Sequence, residues 1–329
     1  MADSQDSDRA AVLKPTMIYG TAWKGEQTQQ LVLEAVKQGF RCFDTASDDE
    51  HYREDLTGAA LRDAVQSGLV RREDIYIQTK YSPPLQHHGS GGFTCTADGR
   101  DLAAEINASV ARSLSRLCVV HADCANEASR CSSYIDCLLL HCPFNSVEET
   151  AQAWQVMERF VPGRVRLLGI SNVRLDVLEA LYRVATVKPA VVQNRFYRKN
   201  NYMVDERLFC HERGVSYQSF SVLTRNEDVL KCGAVAMLAA SAGVSSEVAM
   251  YFLLAASSPG AAVLNGTTNR DHMRHDVAGL QACSEWAASS SNSAVYRTCT
   301  ESFHQEIGQG WGSPRPIILP LSTTANVIP

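Results

Sequence analysis

Residues 135–172, IDCLLLHCPFNSVEETAQAWQVMERFVPGRVRLLGISN, hold the unit that decides the fold. An apolar run, IDCLLLH (135–141), leads through an amphipathic helical stretch to a second apolar run, VRLLGISN (165–172). Neither run alternates apolar with polar residues, and strands that are continuously apolar are buried on both faces, as parallel strands are. The unit repeats in both directions. MIYG (17–20), RCFD (41–44) and IYIQTK (75–80) precede it; AVVQN (190–194), VSYQSFS (215–221) and AAVLNG (261–266) follow. The segments between them have helical length and period, as where Leu31, Ala35 and Val36 share one face. Eight strand-plus-helix units predict an α/β fold of the closed (β/α)8 TIM-barrel type, because a doubly wound sheet usually stops near about six strands.

Composition agrees with one packed domain of this kind. The 329 residues are 45% hydrophobic and 20% charged, close to globular averages, which excludes a disordered, collagen-like or coiled-coil chain. A formal charge of -5 leaves no basic surplus for a nucleic-acid coat. The opening MADSQDSDRA is acidic and polar where a secretory signal would be basic then apolar, and no apolar run has the length of a membrane helix. The expectation is a cytoplasmic protein without a membrane or nucleic-acid partner, monomeric or a small homo-oligomer. Eleven cysteines, an odd count in a long chain, read as free thiols. Cys118, Cys124, Cys131, Cys137 and Cys142 crowd one stretch without paired C-x-x-C spacing, so no metal site is expected there.

The boundaries follow from breaks in the rhythm. Residues 1–15 are expected to be a flexible N-terminus, 16–280 the barrel, and 281–329, rich in Ser, Thr, Pro and Gly, a tail over or beside the barrel mouth. SPPLQHHGSGGFTCTADGR (82–100) reads as a long loop after the third strand, and 118–133 as a second insert before the fourth.

In a barrel of this type functional side chains come from the C-terminal ends of the strands. The first polar residues after the apolar runs are Asp44, Lys80 and His141, and Tyr52 lies just past the second strand. An acid, an amine, an imidazole and a phenol on one rim form a coupled titrating set. Here the chain resembles the aldo-keto reductase family, through GTAW (20–23), FDTA (43–46) followed by Tyr52, QTK (78–80), LLLH (138–141), GISN (169–172) and VVQN (191–194), in order, from about residue 16 to 280. The resemblance implies an NAD(P)H-dependent oxidoreductase that reduces aldehydes and ketones to alcohols, with Asp44, Tyr52, Lys80 and His141 matching the catalytic tetrad. Carbonyl reduction brings hydride to carbon while the oxygen gathers charge and needs a proton. Tyr52 is then the proton donor, Lys80 lowers its pKa, Asp44 holds Lys80 charged, and His141 hydrogen-bonds the substrate oxygen.

The hydride carrier implied by the resemblance is NADPH, with NADH as the alternative, although no G-x-G-x-x-G follows a strand. Ser171, Asn172 and Gln193 match the carboxamide-binding positions, and Phe220, followed by Ser221, would stack on the ring. NGTTNRDHM (265–273) aligns with the family's 2'-phosphate loop, with Gly266 and His272 where a lysine and an arginine are usual. A phosphate there would rely on Thr267, Thr268, Asn269, the start of the eighth helix, and Arg270 or Arg274. Trp23, His51, Tyr81 and Phe144, with Trp311 from the tail, are expected to make an aromatic wall for a small-molecule carbonyl substrate. Two other readings compete: a nucleotide-binding regulatory subunit of the same fold, like the channel-associated β subunits, and a barrel isomerase or hydrolase that needs no cofactor.

Overall fold

Residues 15–83, 101–119 and 134–311, with the backbone of 85–88 and 92–95, are described by a computed structural model. All eight apolar runs become strands: β1 (Met17–Gly20), β2 (Cys42–Asp44), β3 (Tyr76–Tyr81), β6 (Ile135–Leu140), β7 (Val165–Ser171), β8 (Val191–Arg195), β9 (Ser216–Phe220) and β10 (Ala262–Asn265). They close into one parallel barrel in the order β1-β2-β3-β6-β7-β8-β9-β10 and back to β1. Helices cover the outside, so β3 and β6 are buried at every position, which is why their sequences show no alternation.

Alternation survives in what each side of the wall meets. Gln78 of β3 hydrogen-bonds Gln218 of β9, a strand that is not its neighbour, at 2.8 Å, so both side chains cross the interior. Gln193 of β8 joins the same layer, its amide 2.9 Å from Gln218 Oε1. Beneath them Ile18, Tyr76, Cys137, Leu139 and Val191 form a buried apolar floor. The opposite parity packs under the helices: Leu138 and Leu140 meet α3 (Leu102–Arg116) and α4 (Val147–Glu158) through Val110, Trp154 and Met157. Trp154 is fully buried, and its indole N–H donates to Val187 O at 3.0 Å, so no polar atom is stranded.

Three expectations change. Within 82–100, Leu85–His88 and Gly92–Cys95 pair antiparallel as two short strands, β4 and β5. The described part of the tail, 281–311, is mostly helix: α9 (Arg270–Ala288) runs across residue 280, and α10 (Ser293–Glu306) buries Tyr296, Cys299 and Phe303 against α7 (Gly233–Ala242) and α8 (Ser246–Ala255). Apolar residues at helical spacing anchor it despite the surrounding Ser and Thr. Cys142 is disulfide-bonded rather than a free thiol, while Cys42, Cys118, Cys137, Cys210, Cys232, Cys283 and Cys299 are free; sequence order does not reveal which thiols the fold brings within bonding distance. Residues 1–14, most of the second insert and 312–329 lie outside the described residues. No single described helix is long and apolar enough to cross a membrane; the apolar pair α7 and α8 reaches that length only across a bend of 106°, and α8 is buried in the protein from Val248 to Ala255.

Candidate active site

The C-terminal strand ends bring Asp44, Tyr52, Lys80 and His141 together at one mouth. Gly20 pairs with Asp44 and Lys80 with Leu139 in the wall, which sets these ends at similar heights. Lys80 Nζ donates to Asp44 Oδ2 at 2.5 Å and to Thr45 O at 2.9 Å. The other oxygen of Asp44 accepts from Gln78 at 2.7 Å and Gln193 at 3.0 Å. Both partners are almost fully buried, and a buried ion pair holds only where the remaining lone pairs are satisfied, as the glutamine layer does for Asp44. Burial opposes the charge on Lys80, yet Asp44 and Tyr52 outweigh it and raise its pKa above the usual lysine value.

Tyr52 reaches the site from the start of α2 (Glu54–Gln66). That helix is anchored from behind by Glu54, a buried carboxyl that accepts from Thr79 at 2.5 Å and from Ser113 at 3.1 Å. Because Thr79 and Lys80 are neighbours on β3, one strand points the first outward to hold α2 and the second inward to meet Tyr52. The Lys80 ammonium lies over the Tyr52 ring, 5.0 Å from its centre, close enough for its charge to act on the phenol. The expected net lowering of the phenol does not occur: burial raises its pKa and outweighs the opposing field of Lys80. The phenol is therefore protonated at neutral pH.

His141 stands edge-on to Tyr52, with ring centres 6.0 Å apart. Burial first, then the Lys80 charge and His51, push its pKa down to about 3, so the ring is neutral. Its Nδ1 lies 2.6 Å from Ser82 Oγ. On the outer rim Trp23, largely exposed, packs edge-on to His51 with centroids 4.1 Å apart, and Asp48 holds His51 Nδ1 at 2.6 Å. Trp23, Asn172 and Ser221 all have left-handed φ (63°, 54° and 58°) just past their strands, turning the chain across the mouth.

From the tetrad a cleft of about 1410 Å³ extends away along the barrel top. Ser171, Asn172, Gln193, Phe220, Ser221, Gly266, Thr267, Thr268 and His272 all line it. The Asn172 amide donates to His141 O at 3.0 Å and Ser171 Oγ at 3.2 Å, Ser171 Oγ donates to Gln193 O at 2.8 Å, and the Gln193 amide is bound to Asp44 and Gln218. What Asn172 and Gln193 leave for a ligand is two side-chain carbonyl oxygens, acceptors suited to an amide N–H₂.

Three residues of the expected aromatic wall are elsewhere. Tyr81 follows inward-pointing Lys80 and so points outward, into the cluster under α3. Phe144 is buried in the same cluster. Trp311 lies outside the barrel wall, 5.6 Å from the Arg207 guanidinium and beside Tyr217 and Ser258. Trp23 and His51 alone of that set line the cleft. Sequence reading missed Lys24, whose ammonium donates to Gly266 O at 2.9 Å and whose pKa burial lowers to about 8. It also missed Arg195, Glu247, His275 and Asp276. Lys24 directly follows the GTAW motif and could have been found by extending it; Glu247 and His275 sit on helix faces that only packing directs to the cleft.

Residues 16–283 match the model of the Aldo/keto reductase family. The chain is 26% identical over 236 residues to an NAD(P)H-dependent D-xylose reductase of Scheffersomyces stipitis, covering 63% of this chain and 64% of that protein. It is 27% identical to an NADP-dependent D-sorbitol-6-phosphate dehydrogenase of Malus domestica, covering 58% of each. The matched part thus spans less than two thirds of these relatives' length. Among solved structures, an aldo-keto reductase enzyme from a Medee basin deep-sea metagenome library superimposes with a TM-score of 0.65 at 17% identity, covering 91% and 93% of the two chains. The aldose reductase of Schistosoma japonicum gives 0.65 at 16%, covering 89% and 88%.

Proposed function

This chain belongs to the aldo/keto reductase family, and we propose that it reduces a small aldehyde or ketone to the alcohol at the expense of a reduced nicotinamide dinucleotide, with Tyr52, Lys80, Asp44 and His141 as the reacting set. The observation that carries this reading is the buried Lys80 ammonium, anchored by Asp44 and lying over the ring of Tyr52, with His141 edge-on to the same ring.

The cleft suits the dinucleotide in size and donors. Its volume exceeds the about 300–1,000 Å³ of most ligand sites. Asn172 Oδ1 and Gln193 Oε1 would accept from the carboxamide, Phe220 would give the ring an apolar face, and the Lys24 ammonium would hold the diphosphate midway. When bound, the nicotinamide supplies hydride to the carbonyl carbon.

The protein's own work is on the oxygen. His141, neutral through burial, can donate from Nε2 to the carbonyl without placing a second cation beside Lys80. As the oxygen gathers charge it takes the Tyr52 proton, and the Lys80 ammonium stabilises the phenolate left behind. The ammonium cannot drift, since its other donors are fixed by Asp44 and Thr45. Trp23 and His51 give the substrate side an aromatic rim. Consumption of NADH or NADPH with a panel of aldoses and aromatic aldehydes tests this reading. Turnover of any of them supports it; dinucleotide binding without turnover across the panel favours the regulatory-subunit reading.

A further inference from the structure

The cleft continues past Lys24 and Gly266 to the turn between α7 and α8 and the inner face of α9. With nicotinamide at the tetrad end, as in the reading above on which this inference rests, adenosine falls at this far end.

Three features there bear on its ribose. Lys24 and Arg195 are the only lysine and arginine lining the cleft among the described residues, and both are engaged: Lys24 with Gly266 O and, in the reading above, with the diphosphate, and Arg195, at the end of β8, over the Phe220 ring at 5.2 Å. The arginines of α9 turn away. Arg270 pairs with Glu34 at 2.8 Å and Arg274 with Asp271 at 3.0 Å, and neither lines the cleft. Second, the far end carries two carboxyls, Glu247 from α8 and Asp276 from α9, the latter close enough to the imidazoles of His272 and His275 for their charges to interact; one oxygen of Asp276 accepts from Asn265 at 2.7 Å and the other is left for a ligand. Third, four of the N–H groups where α9 begins are already engaged. Thr267 N donates to Asn265 Oδ1 at 2.9 Å and Asn269 N to Thr267 Oγ1 at 3.1 Å; Asp271 N and His272 N donate to Asn269 Oδ1 at 2.8 and 3.2 Å.

We propose that the far end selects an adenosine with a free ribose 2'-hydroxyl, so that the chain binds NADH in preference to NADPH, with Glu247 and Asp276 as the selecting residues. A 2'-phosphate carries a charge near about −2. It would face two carboxyls with no fixed cation, whereas a hydroxyl can donate to either one.

The test is the affinity of the intact protein for each dinucleotide, read by tryptophan fluorescence at about pH 8. NADH is expected to bind at least about ten-fold more tightly than NADPH. Glu247→Gln and His272→Arg should each narrow that ratio by strengthening NADPH more than NADH. Equal or tighter binding of NADPH by the wild type, or an unchanged ratio in both variants, overturns the inference while leaving the reductase reading intact. Binding of neither dinucleotide overturns the reductase reading, and this inference with it.

Discussion

Ser82 Oγ lies 2.6 Å from Nδ1 of His141, and Ser82 is itself held through its N–H to Ser47 Oγ at 3.1 Å. A hydroxyl that donates to Nδ1 leaves the imidazole proton on Nε2, the tautomer able to donate to a substrate oxygen. Ser82 is thus a positioning residue for His141. Ser82→Ala is expected to lower kcat about ten-fold, the worth of one hydrogen bond of about 1.4 kcal/mol. Dinucleotide affinity should stay the same and Ser82→Thr should restore most of the rate. Steady-state kinetics of the two variants decide it; an unchanged kcat in Ser82→Ala removes the role.

Lys24 gives a pH dependence whose sign follows from its burial. Its pKa is lowered to about 8, so the ammonium is lost as pH rises through that value. Dinucleotide affinity should therefore fall between about pH 7 and 9. In Lys24→Met the affinity should be weaker by about ten-fold or more and flat over the same range, since a charge-assisted bond of about 1.5–3 kcal/mol is gone. Fluorescence titrations at several pH values check both parts.

Gly169 sits in β7 two residues before Ser171. A Cβ there would lie 2.6 Å from Val191 O and 2.9 Å from Val191 Cβ. Gly169→Ala should destabilise by about 1–3 kcal/mol, because the wall must shift to admit one methyl. Urea unfolding measures the loss. A variant as stable as the wild type would mean that the wall yields more easily than its packing implies.

How much of this was readable from residue order depends on distance along the chain. The strands were legible because each is a short, unbroken apolar run, and the tetrad because each member sits at or just past a strand end. Tyr81 was misplaced although its parity was visible: next to inward-pointing Lys80, it had to point outward. Phe144 and Trp311 were misplaced for a harder reason, since their positions depend on how loops and tail pack, which no local pattern records. The direction of the Tyr52 shift was missed because burial, not the neighbouring charge, dominates it. Part of the far end was legible: Asp271 and Arg274 stand three residues apart on a helix, a spacing that favours their ion pair and turns Arg274 from the cleft. The pairing of Arg270 with Glu34 spans the closed barrel and had no local signal.

The most direct test of the central claim, that Tyr52 protonates the substrate oxygen, is kcat of Tyr52→Phe beside its dinucleotide affinity. Phenylalanine keeps the ring that packs by His141 and Lys80 and removes only the hydroxyl. The expected result is a fall in kcat of at least about a hundred-fold, the usual contribution of a positioned acid, with affinity for the dinucleotide unchanged. Turnover close to that of the wild type would contradict the assignment and require another proton source at the mouth.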